Sequence, residues 1–182
     1  MALNTISRSL HDVGLAAWFG GTLANAVALN AAAGETRRLS DAGAVMNAGW
    51  DRWTPVNAAA IAANLVGSAG QLWGNKGRIG AQQGVGTMSL VKAGLTVAAL
   101  GVTGYSRILG KKVSAHSEVP VQDGTTPSEQ TPDDVAAAQK QLKALQWAVP
   151  ALTGALVVVS AFAGEQQRTG SVLDGIRKRI TR

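Results

Sequence analysis

Charge is missing from four long stretches of this chain. Val13–Gly34, Trp53–Asn75, Ile79–Ser106 and Ala144–Gly164 each run for more than 20 residues with at most one charged side chain. A helix rises about 1.5 Å per residue, so about 20 residues match a hydrocarbon core of ~30 Å. A water-soluble helix of that length needs a charged outer face, and these windows have none. The sequence therefore predicts an all-α integral membrane four-helix bundle, with spans at about 13–34, 54–75, 88–109 and 144–164. Lys92 interrupts the third window, which is framed better between Lys92 and Arg107. Both side chains then snorkel outward from a 14-residue uncharged core, about 21 Å long.

A mean hydropathy of only +0.10 is low for such a chain. The charges are segregated into connections and tails, and the apolar content is mostly Ala, Gly, Val and Leu. With no cysteine, disulfides, thiolate metal sites and cysteine nucleophiles are excluded. The first window is longer than the h-region of a cleaved signal. Residues 1–12 read as an amphipathic lead-in with Leu3, Ile6 and Leu10 at helical spacing.

The connections carry their own signals. Residues 40–47 suit a short surface helix. Trp50, Trp53 and Trp73 bracket the second span as aromatic belts do, and Pro55 suits a first helical turn. Residues 74–86 form a Gly-rich turn. Residues 111–130, rich in Pro, Gly, Ser, Thr and acids, read as a flexible loop between the third and fourth helices. Thr131-Pro132-Asp133-Asp134 then starts a helix that continues through Pro150 into the last span. The tail 166–182 is basic, and Arg177, Lys178, Arg179 and Arg182 point to a lipid bilayer with anionic headgroups as a partner. The side with the termini holds nine basic residues against eight opposite, which favours cytoplasmic termini in a multi-pass cell-membrane protein.

Inside the spans, small and polar residues recur at steps of three and four, which places each set along one helix face. The first set is Gly14, Trp18, Gly21, Asn25, Ala28 and Ala32; the second is Asn57, Ala60, Asn64, Ser68, Gln71 and Asn75. The third is Ser89, Lys92, Thr96, Ala99, Thr103 and Ser106; the fourth is Gln146, Pro150, Thr153, Val157, Ser160 and Gly164. Lipid cannot hydrogen-bond such side chains, so they face other helices or a polar cavity. Gly21, Asn25, Asn57, Asn64, Gln71, Lys92, Thr96, Thr103, Thr153 and Ser160 are the packing or cavity candidates.

Catalytic signals are missing. No acid in another span is placed to pair with Lys92, which favours snorkelling over a buried role. His11 reads as an interfacial side chain at the start of the first span, and His116 falls in the flexible loop, so the two do not make a metal pair. No Ser–His–Asp set can be assembled. Gly20-Gly21 and Gly84-x-Gly86 lack the strand–loop–helix setting of a phosphate cradle.

Leu10-His11-Asp12-Val13-Gly14 with Trp18 and Gly20-Gly21-Thr22 resembles the first helix of small four-span bacterial inner-membrane proteins of the copper-resistance D type. The resemblance implies a four-helix membrane bundle. The further copper histidines of that family have no counterparts, so no copper role is carried over.

The expectation is a small non-enzymatic accessory or structural subunit, packed as a homo-oligomer or in a larger membrane complex, with no cofactor, no metal and no nucleic acid. The alternative is a transporter or channel for a small solute through a polar bundle interior.

Overall fold

The computed structural model describes residues 2–77, 85–115 and 121–165. The basic tail with Arg177, Lys178, Arg179 and Arg182, together with Arg78, Gly84 and His116, lies outside the described residues. Within them the chain is helical: α1 (Ala2–Ala24), a π segment (Asn25–Leu29), α2 (Asn30–Ala33), α3 (Leu39–Gly74), α4 (Val85–Ser114) and α5 (Asp133–Glu165). The first three pieces run on as one rod, because the residues at both joints keep right-handed helical dihedrals.

Three helical stretches are long and apolar enough to cross a membrane: Asn4–Ala33, Val85–Ser114 and Asp133–Glu165. The expected second span differs. It is helical, but Asn57, Asn64, Ser68 and Gln71 dilute its apolar residues, and it is not among the three. The expected surface helix at 40–47 is also not separate. It fuses with the span into one 36-residue helix, about 54 Å long. Pro55 therefore sits in the interior of α3 instead of its first turn, where it leaves the Asp51 carbonyl without its helical donor.

Large apolar side chains are left on the outer surface. Val66, Leu72, Leu90, Val97 and Phe162 are exposed, whereas Asn64, Gln139 and Thr153 are buried. Water would favour the reverse arrangement, and a hydrocarbon solvent favours this one.

α1 packs antiparallel on α3, α5 packs on α4, and α1 joins the two pairs through α5. Glycines set the α1–α3 approach. A Cβ added at Gly14 would meet the Asn64 backbone; one at Gly67 would meet the backbone of Ser7 and His11; one at Gly74 would meet Asn4. The rungs pair ascending α1 numbers with descending α3 numbers, ending with Gly21 against the Trp53 indole and Gly49 against Leu29.

Two cores stack along the bundle. Leu15, Trp18, Ala60, Ala99, Val149 and Leu156 fill the middle. Ala33, Met46, Leu109, Val113, Val135 and Ala138 fill the end where α3 and α5 begin, termed the head end. The described parts of the segment expected to be flexible, 111–115 and 121–130, are folded here. Lys111–Ser114 completes α4. Val121 and Thr125 are buried, Val121 bridges Pro127, and the Gly124 N–H donates to the Asn30 carbonyl at 3.4 Å. Asp123 Oδ1 accepts from the Thr125 N–H at 2.7 Å, so a side chain replaces the missing secondary structure. The polar composition concealed a loop held by local hydrogen bonds and a few buried apolar groups.

Two exposed ion pairs rim this end: Arg107–Asp51 at 3.8 Å and Lys112–Asp134 at 3.3 Å. Exposed pairs contribute about 0–1 kcal/mol. Arg107→Gln is therefore expected to lower stability by less than about 1 kcal/mol in a thermal melt in mild detergent. A larger loss would mean that Arg107 holds α3 and α4 together.

Candidate functional site

α3 and α4 are not a packed pair. Near the head end they are linked by Arg107–Asp51 and by Ser114 Oγ donating to Asn47 Oδ1 at 2.9 Å. Between them opens a mainly apolar cleft of about 250 Å³, backed by α1 and α5. Ala26, Ala58, Ile61, Leu145 and Val149 supply apolar wall; Trp53, Asn57 and Thr103 supply polar atoms. Trp53 Nε1, Asn57 Oδ1 and Thr103 Oγ1 are buried and have no hydrogen-bond partner among the described residues.

A second cleft of about 550 Å³ lies at the opposite, tail end, between the start of α1 and the end of α5. Its wall includes Arg8, His11, Asp12, Gln71, Lys92, Ser160 and Glu165. His11 is buried against its neighbours, and its Nδ1 lies 2.8 Å from Asp12 Oδ1. Its carbonyl accepts from Asn64 Nδ2 at 3.1 Å, pinning α1 to α3. Lys92 does not stand apart from acids, as its sequence position suggested. Asp12, carried on α1, lines the same cleft as Lys92, and so does Arg8. That acid lies just outside the uncharged window, which is why span-by-span reading missed it.

The candidate residues thus divide three ways. Asn57 and Thr103 line the head-end cleft; Gln71, Lys92 and Ser160 line the tail-end cleft. The others are packing groups. Gly21 admits Trp53, and Asn64 holds His11. Thr96 and Thr153 donate to the carbonyls of Lys92 and Val149, both at 2.8 Å. Asn25 opens the π segment, with its amide nitrogen buried and without a partner among the described residues. Ala28 and Ala32 are exposed; Ala26, Asn30 and Ala33 are buried instead. A π turn holds more residues than an α turn, so the inward face advances and a fixed step of three or four loses it.

Sequence reasoning passed over one polar node. Asn30 Nδ2 donates to Gln146 Oε1 at 2.8 Å, and Trp50 Nε1 donates to Asn30 Oδ1 at 3.2 Å. It joins α2, α3 and α5 in the wall of the head-end cleft. Gln146 was on a polar face, but nothing in its spacing named Asn30 as its partner.

No protein family, curated protein or solved structure matches the chain.

Proposed function

We propose that this chain is a non-enzymatic four-span membrane subunit that packs laterally against a partner helix or a second copy of itself. In this reading α3 spans the bilayer beside the three apolar helices, with its polar residues turned to α1, and both termini are cytoplasmic. The observation that carries it is the unclosed side between α3 and α4. Three buried polar atoms (Trp53 Nε1, Asn57 Oδ1 and Thr103 Oγ1) stand unpaired among the described residues, all on residues that line this cleft. Leaving a buried polar group unpaired costs about 1–3 kcal/mol. A neighbouring helix with a polar side chain offsets that cost.

The outer face of α4 supports the same reading. Gly94, Ala98, Gly101 and Gly104 follow one another at steps of three and four, all exposed. A Cβ at Gly94, Gly101 or Gly104 would meet nothing within 4 Å. Small faces of this kind let transmembrane backbones approach closely.

The test is a cleft-blocking substitution. Wild-type protein extracted in mild detergent is expected to run as an oligomer or with a bound membrane protein. Gly104→Phe, which costs no contact inside the subunit, is expected to shift most of it to monomer. A wild type that is a bare monomer overturns the proposal.

A second reading, a path for a small solute, draws on the gathering of Gln71, Lys92 and Ser160 in one cleft. The two clefts share no lining residue. Trp18, Asn64, Ala99 and Thr153 are buried at intermediate positions along their helices, so a path requires helix movement. Proteoliposome flux that survives Asn64→Leu and Lys92→Leu removes this reading.

A further inference from the structure

Hydroxyls in these helices have a default partner. Thr22, Thr54, Ser89, Thr96, Ser106 and Thr153 each donate to the carbonyl four residues back, at 2.7–2.9 Å. Ser160 does not. Its Oγ is buried without a partner among the described residues, and it lines the tail-end cleft. Gln71 Nε2, in the same wall, is also buried and unpaired. Lys92 brings an ammonium with three donors to that wall, and no ion pair or hydrogen bond joins its Nζ to another described residue. Ser160, Gln71 and Lys92, on three different helices, thus line one cleft, and each carries a hydrogen-bond donor.

We propose that this cleft holds the phosphate of a membrane phospholipid headgroup, gripped by Lys92, Gln71 and Ser160. Three donors in one wall call for an oxyanion, since an anion with several oxygens can accept from all three at once. A second cation, Arg8, stands in the same wall. The carboxylates there are Asp12, bonded to His11, and Glu165, and both are exposed. They give the wall both signs, which matches a headgroup carrying an ammonium beside its phosphate. The cleft lies where α1 starts and α5 ends, with exposed Leu90, Val157 and Phe162 on α4 and α5 to receive acyl chains. A lipid therefore fits the surroundings better than a free anion. The proposal rests on the bilayer location of the helices and not on any lateral partner.

The experiment is lipid retention by the full-length protein in nanodiscs of phosphatidylcholine doped with phosphatidylethanolamine or phosphatidylglycerol, read by native mass spectrometry after transfer to detergent. Wild type is expected to retain one phosphatidylethanolamine preferentially. Lys92→Met is expected to weaken retention about tenfold, the usual worth of one charge-assisted contact. Ser160→Ala removes a hydroxyl with no bond inside the protein. It is expected to leave the melting midpoint unchanged while weakening retention several-fold, a separation that a packing role does not produce. Equal retention by wild type, Lys92→Met and Ser160→Ala overturns the proposal. Inorganic phosphate that stabilises the protein without lipid, and displaces it, overturns the lipid as the source.

Discussion

Gly67→Leu is expected to separate α1 from α3 and to be the most damaging single substitution in the described structure. A Cβ at Gly67 would lie 2.8 Å from the Cα of His11, and nearer still to the His11 amide nitrogen and the Ser7 carbonyl. These are backbone atoms of a continuous helix, so no rotamer change relieves the clash. α1 as a whole must move. That movement strips the neighbouring rungs at Gly70 and Gly74 and breaks the 3.1 Å bond from Asn64 to the His11 carbonyl. Overpacking costs about 1–3 kcal/mol when side chains can adjust, and more when they cannot. A loss above about 3 kcal/mol is therefore expected, seen as a collapse of the melting midpoint in mild detergent. Gly20→Leu is the control: a Cβ there meets nothing within 4 Å, and its exposed side faces solvent or lipid. It is expected to leave the midpoint unchanged. Equal effects at the two positions would show that the ladder does not position α1.

The same interface shows what the sequence could and could not convey. Small and polar periodicity marked a less exposed face of α4: Ala99 is buried and Thr96, Thr103 and Ser106 are half-buried, while Lys92, expected to snorkel outward, lines the tail-end cleft. It also gave Asn64 and Thr153 as buried. Periodicity fixes a direction about one helix axis; it says nothing about which helix occupies that direction. Hence Gly67, Gly70 and Gly74, whose partners are Ser7, His11 and Asn4, were invisible as a set. The division of the polar residues between two clefts was equally hidden. Asp12 escaped because it lies outside its uncharged window, although the fold places it in the same cleft wall as Lys92.

The π segment and the connection to α5 failed for a different reason. Both depend on interactions between residues distant in sequence. Asn30 is turned inward because Gln146 and Trp50 accept and donate there, 116 and 20 residues away. The Asn30 carbonyl in turn meets the Gly124 N–H, and a Cβ at Gly124 would press on Asn30 and Met46. The segment 121–130 thus reads as unstructured when taken alone and becomes ordered only against a surface built by three helices.

That dependence makes Asn30→Leu the second large effect. Asn30 is 4 % exposed and serves both as donor and as acceptor. Leucine has similar bulk but leaves the Trp50 N–H and the Gln146 carbonyl oxygen facing an apolar side chain. Each orphaned group costs about 1–3 kcal/mol when fully buried. Trp50 and Gln146 are only partly buried, and Gln146 Nε2 keeps its 3.2 Å bond to the Lys143 carbonyl. The combined loss is therefore expected near the low end, about 2 kcal/mol. Its location matters more than its size. The node lies between the head-end core and the folded 121–132 segment, so the loss falls on the docking of that segment while the middle core of Leu15, Trp18 and Leu156 is untouched. Limited proteolysis in detergent is expected to cut Asn30→Leu within 121–132 at least several-fold faster than wild type, with helix content unchanged by circular dichroism. Trp50→Phe removes one of the same bonds, so the double substitution is expected to cost less than the two singles together. Cutting at the wild-type rate in Asn30→Leu would mean that the burial of Val121 and Thr125 alone anchors the segment, and that the polar node serves only to fix the register of α2 against α5.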